Sequence, residues 1–68
     1  MTQHELILKY LDDFGSISPF EAFECIGITK LATRISELKK KGYKFTSVMV
    51  EQENRYGEPV RFMRYWRA

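Results

Sequence analysis

Residues that bind metals or act as nucleophiles are nearly missing from this chain. His4 is its only histidine and Cys25 its only cysteine. One of each cannot build a structural zinc site, and no Ser/His/Asp or Cys/His set can be assembled around a single histidine in the first turn of a helix. A lone cysteine forms no internal disulfide, so nothing implies an oxidising compartment. The four glycines stand apart, which excludes a glycine-rich phosphate loop. No apolar run approaches membrane-spanning length, and "MTQHELILKYL" lacks the basic start of a signal peptide. The expectation is a cytoplasmic protein that is not an enzyme and calls for no cofactor or metal. His4 is expected to be exposed and Cys25 to be a small core residue.

What the chain does have is apolar content, 44% of its 68 residues, and an uneven distribution of charge. The length allows one domain, residues 1–68, with a small core. Residues 1–27 carry Lys9 against Glu5, Asp12, Asp13, Glu21 and Glu24, a balance of −4. Residues 28–68 carry ten Lys/Arg against four Glu, a balance of +6. An acidic half joined to a basic half suggests one side that faces a polyanion.

Helical spacing of Leu6, Ile7, Tyr10, Leu11 and Phe14 predicts a first helix over about Thr2–Phe14, with Thr2 and Glu5 as a capping box and Gly15 as the stop. The Asp12–Asp13 pair sits badly at the negative end of that helix. A very short strand or extended bridge follows around Ser16–Ile17. "SPFE" then starts a second helix, with Ser18 as N-cap, Pro19 in the first position and Glu21 closing the box. Phe20, Phe23 and Ile26 are expected on its buried side, and Gly27 ends it. Thr29 can cap a third helix almost at once; Leu31, Ile35 and Leu38 form its apolar stripe, and Gly42 its stop after Lys39–Lys41. Beyond Gly42 the period changes. "YKFTSVMVEQE" and "VRFMRYWR", separated by "NRYGEP", predict an antiparallel hairpin. The expected fold is α+β and mostly helical: a winged helix-turn-helix, with three helices and a C-terminal two-stranded antiparallel wing.

In a helix-turn-helix the second helix of the pair lies in the major groove of DNA. Here the leading end of the third helix offers Thr29, Lys30, Thr33 and Arg34, and an arginine can contact guanine O6 and N7 together. Lys40 and Lys41 at the trailing end suit phosphates, and Arg55 at the wing tip suits a flanking backbone or minor groove. Each has a plainer reading. The lysine run complements a helix dipole, and Glu37 is placed to pair with Arg34 or Lys41. The phenylalanines Phe14, Phe20, Phe23, Phe45 and Phe62 are expected in the core. The terminal "RYWRA" is expected to be a last strand; a single-strand binder stacking on Tyr65 and Trp66 is the weaker reading.

The stretch "SISPFEAFECIGITKLATRISELKKKGYKF", with the hairpin "NRYGEPVRFMRY", resembles the small winged helix-turn-helix domains of phage and prophage genomes. The matching residues are Ile17, Ser18, Pro19, Glu21, Ala22 and Gly27, then Leu31, Ala32, Arg34, Ile35, Glu37, Leu38, Lys39, Lys40, Gly42 and Tyr43. Thr33 stands where that pattern often has alanine. The resemblance implies double-stranded DNA as partner, with Lys30, Thr33 and Arg34 at the groove and Arg55 on the wing. A transcriptional regulator or a recombination accessory factor is the role expected, acting as a homodimer or cooperative array. The alternative is a protein-interaction module, such as an inhibitor of a host nucleic-acid enzyme, with a partner on the acidic face of helices 1 and 2.

Overall fold

The computed structural model describes all residues, Met1–Ala68. The elements run α1 (Gln3–Phe14), β1 (Ser16–Ile17), α2 (Pro19–Ile26), α3 (Leu31–Lys40), β2 (Phe45–Glu53) and β3 (Pro59–Arg67). Both expected capping boxes form. Thr2 Oγ1 accepts from Glu5 N–H and Ser18 Oγ from Glu21 N–H, and each glutamate returns a bond to its cap residue's N–H. These bonds satisfy donors that a helix start otherwise leaves unpaired.

The sheet has three strands: the two of the expected hairpin and the very short strand at Ser16–Ile17. The short piece after α1 pairs antiparallel with β3, Ser16 opposite Trp66 and Ile17 opposite Tyr65, so the order is β1-β3-β2. This clamps the base of the wing to the helices. β2 and β3 stay in unbroken register from Phe45↔Arg67 to Glu53↔Pro59. Asn54 shapes the tip, its side-chain oxygen accepting from the N–H groups of Tyr56 and Glu58. The wing extends well past the helices, giving a molecule of 39 × 21 × 20 Å.

The core gathers Ile7 and Leu11 of α1, Ile17 of β1, Ala22 of α2, Ile28, the stripe Leu31, Ile35 and Leu38 of α3, and Tyr65 of β3. Full burial of such an aliphatic side chain stabilises the fold by about 1.5–3 kcal/mol. Three expectations about the aromatic residues fail. Phe14, Phe20 and Phe23 are 70%, 70% and 61% exposed. α2 turns Ala22, and in part Ile26, inward. Ala22 and Ile26 are one turn apart and share a face, whereas Phe23 and Phe20 are turned away from it on the same flank, toward solvent. Phe45 and Phe62 are half-buried on the sheet, and Tyr65 is buried as a strand residue.

The helix-turn-helix connection also differs from expectation. Thr29 does not cap α3; Lys30 occupies the cap position and makes no side-chain cap bond. The cause is Ile28, which is buried and donates its N–H to Ala22 O. Anchoring Ile28 takes the chain through Thr29 and Lys30 before the helix begins. Gly27 enables the turn, at φ 71° in the left-handed region that favours glycine.

Candidate nucleic-acid interface

With Leu31, Ile35 and Leu38 buried, the 100° step between helical residues sets what α3 shows to solvent. The outward arc is Thr33, Ser36 and Lys40, all exposed, bordered by Ala32 and Lys39 on one side. Thr29 and Lys30 lie exposed in the turn before the helix, and Lys41 follows its last residue. Arg55 is exposed in the wing turn at the opposite end of β2. The expected positions other than Arg34 thus occupy the two ends and the outer arc of α3, with Arg55 set apart on the wing. Ser36, Lys39 and Lys44 are exposed on or just beyond the same helix and were not among the expected positions. Marking the face opposite the Leu31/Ile35/Leu38 stripe would have found Ser36.

Arg34 lies at the flank and is engaged within the protein. Its Nη1 donates to both carboxylate oxygens of Glu37, at 2.9 and 3.0 Å, and its Nε donates to Gln3 Oε1 at 2.7 Å. His4 is half-buried, contrary to expectation. Its Nε2 donates to Glu37 Oε1 at 2.8 Å, and its Nδ1 accepts from Lys41 Nζ at 3.2 Å. Glu37 therefore receives one hydrogen bond from α1 and two from its own helix. The bonds from His4 and then Arg34 hold its carboxyl below the usual value of 4.5. Together these side chains fasten the start of α1 to the middle and end of α3.

Ion pairs sort the remaining cations. Lys9 meets Asp13, Arg61 meets Glu51, Arg64 meets Glu21 and Arg67 meets Asp12. The Asp12–Asp13 pair, awkward for the helix dipole, is thereby compensated by cations from β3 and α1. Arg64 matters most to the wing, because its Nη1 donates to Ser16 Oγ as well as to Glu21 Oε1. Partial burial raises the Glu21 carboxyl, but the Arg64 and Ser18 hydrogen bonds outweigh it and leave the group below 4.5. Six cations have no carboxylate partner: Lys30, Lys39, Lys40, Lys41, Lys44 and Arg55. All six lie at the ends of α3, just beyond it or on the wing tip.

A second surface is mainly apolar. α1 and α2 enclose a groove of about 410 Å³ lined by Leu6, Tyr10, Phe14, Ile26 and Cys25, with Lys9 and Asp13 at its rim. Cys25 is exposed there rather than in the core. The Tyr10 and Phe14 rings pack at 4.6 Å between centroids. Partial burial, then the nearby Glu21 carboxylate, push the Tyr10 hydroxyl above its usual value of 10.0.

A family model described as a winged helix-turn-helix domain matches residues 2–66. No curated protein and no solved structure matches the chain.

Proposed function

The chain belongs to the winged helix-turn-helix domain family, and from that membership, which suggests DNA binding, we propose that it is a sequence-specific double-stranded DNA-binding protein. The observation that carries the reading is the placement of the six unpaired cations. Five flank α3 and one marks the wing tip, while every cation elsewhere is neutralised by a neighbour. The reading treats residues 1–68 as one domain without a catalytic role. α3 enters the major groove with Thr33 foremost, joined by Ser36. Thr29 and Lys30 meet the groove edge, Lys40 and Lys41 meet phosphates, and Arg55 meets flanking backbone. Arg34 contacts a base only by giving up Glu37 and Gln3, so its first role is to brace α3 against α1. The biological role is that of a phage or prophage transcriptional regulator or recombination accessory factor in a bacterial cytoplasm. One module of this size binds modestly, so a dimer or cooperative array supplies the affinity.

Selection from a random duplex library, followed by titration at several salt concentrations, tests this. The expected result is an enriched motif and an affinity that falls with log salt at a slope no steeper than about −5.4, six phosphates at about −0.9 each. Absence of duplex binding at low salt by folded protein would sink the reading. A second reading, a protein-interaction module, is favoured by the α1–α2 groove and its exposed Phe14 and Phe23. Its partner would be basic and apolar, and its affinity would depend less on salt.

A further inference from the structure

β2 is the outer strand of the sheet, and β3 is its main packing partner. Its free edge runs the length of Phe45–Glu53, and its only charged residues are Glu51 and Glu53 near the wing tip. "FTSVMVEQE" contains no lysine, proline or glycine, and the unbroken register with β3 leaves no bulge to turn the edge away. Two terminal bonds show which backbone groups are free. Ala68 N–H donates to Lys44 O, and Asn54 N–H donates to Glu58 O, so the even-numbered residues of β2 face β3. By antiparallel alternation Phe45, Ser47, Met49, Glu51 and Glu53 turn their N–H and C=O groups outward.

We propose that this edge pairs with β2 of a second copy, antiparallel, about a two-fold axis at Met49, joining two three-stranded sheets into one of six strands. The strand is complementary to itself in that register. Met49 faces Met49, Val48 faces Val50, Thr46 faces Gln52, Ser47 faces Glu51 and Phe45 faces Glu53. Outward-turned residues meet outward-turned residues, so donors find acceptors, and no two like charges lie directly opposite. Glu51 already has Arg61 beside it. Moving the axis toward Ser47 sets Lys44 against Val50 and leaves part of the strand unpaired. Pairing also sets Val48 against Val50 on one face of the sheet and Met49 against Met49 on the other; Val48 and Met49 stand 49% and 57% exposed in the single copy. A contact built on one strand pair is small beside the about 1,200–2,000 Å² of stable interfaces, so the dimer depends on concentration. The inference is independent of the DNA-binding reading, and its test contains no DNA.

Sedimentation of the full chain from micromolar to millimolar concentration is the test. Wild type is expected to pass from 8.1 kDa to twice that mass. Met49→Lys sets two ammonium groups face to face at the axis and should stay monomeric. Ser47→Pro removes an outward N–H that β3 does not use and should do the same. Circular dichroism confirms that each variant is folded. Met49→Cys in a Cys25→Ser background should oxidise to a covalent dimer. A wild type that remains at 8.1 kDa throughout would overturn the proposal, as would a dimer that survives both edge substitutions.

Discussion

Arg34 is the residue on which sequence and structure pull hardest in different directions. Its spacing on α3 marks it as a base reader, yet its guanidinium is shared between Glu37 and Gln3. Its side chain is 31% exposed, against 69% for Arg61, whose pair with Glu51 lies on the open wing. Arg34→Ala should therefore lower the urea midpoint more than Arg61→Ala, because exposed pairs contribute little. Equal shifts would show that the brace between α1 and α3 is only surface decoration. Glu37 also makes a pH prediction. Its folded value lies below 4.5, so its stabilising bonds are fully present above about pH 4.5 and fade as pH falls through the folded value. Glu37→Gln should flatten the acid limb of the stability curve between about pH 5 and 3, read by urea titrations across that range. Glu37 pairing with Arg34 was legible in the i, i+3 spacing. The His4 contact, 33 residues away in the chain, was not.

At the scale of elements, α2 is bounded by a cap at its start and a glycine turn at its end. Ser18 is 2% exposed and its hydroxyl accepts from Glu21 N–H, so Ser18→Ala should cost about 1 kcal/mol of stability. Gly27 tests a purely conformational effect. A Cβ there would meet nothing within 4 Å, and yet φ is 71°. Gly27→Ala should therefore cost about 1–2 kcal/mol through backbone strain alone. Gly27→Asn should cost less, since asparagine tolerates the left-handed region; equal losses in chemical denaturation would refute that account. Both caps and the glycine stops were legible because they depend on neighbours in sequence. The start of α3 was not, since the position of Lys30 follows from Ile28 reaching the core.

For the whole molecule, a small core and a projecting wing frame the predictions. A core this size seldom supplies more than about 3–5 kcal/mol. Ile35→Ala, at a fully buried position where such truncations cost about 2–5 kcal/mol, should leave the chain largely unfolded at room temperature by circular dichroism. On the interface side, Lys40→Ala and Arg55→Ala should each reduce the salt slope of DNA binding by about 0.9. Arg61→Ala should leave it unchanged, because that cation is already spent on Glu51. Unchanged slopes for the first two would remove both residues from the interface.

The sequence alone determined the order of helices and hairpin, the capping boxes, the apolar stripe of α3 and the concentration of cations after residue 27. Those features rest on local geometry: spacing along one helix, alternation along one strand, and residue types that only a turn accepts. Tertiary structure decided the rest. It turned Ala22 instead of Phe20 and Phe23 toward the core, because α2 packs through the face that Ala22 and Ile26 share. It drew β1 onto β3, since Ser16 and Ile17 have no strand neighbour within reach along the chain. It also chose which cations stay free. Arg34, Arg64 and Arg67 each meet a partner, but for Arg64 and Arg67 that partner comes from another element and appears only once the chain has folded.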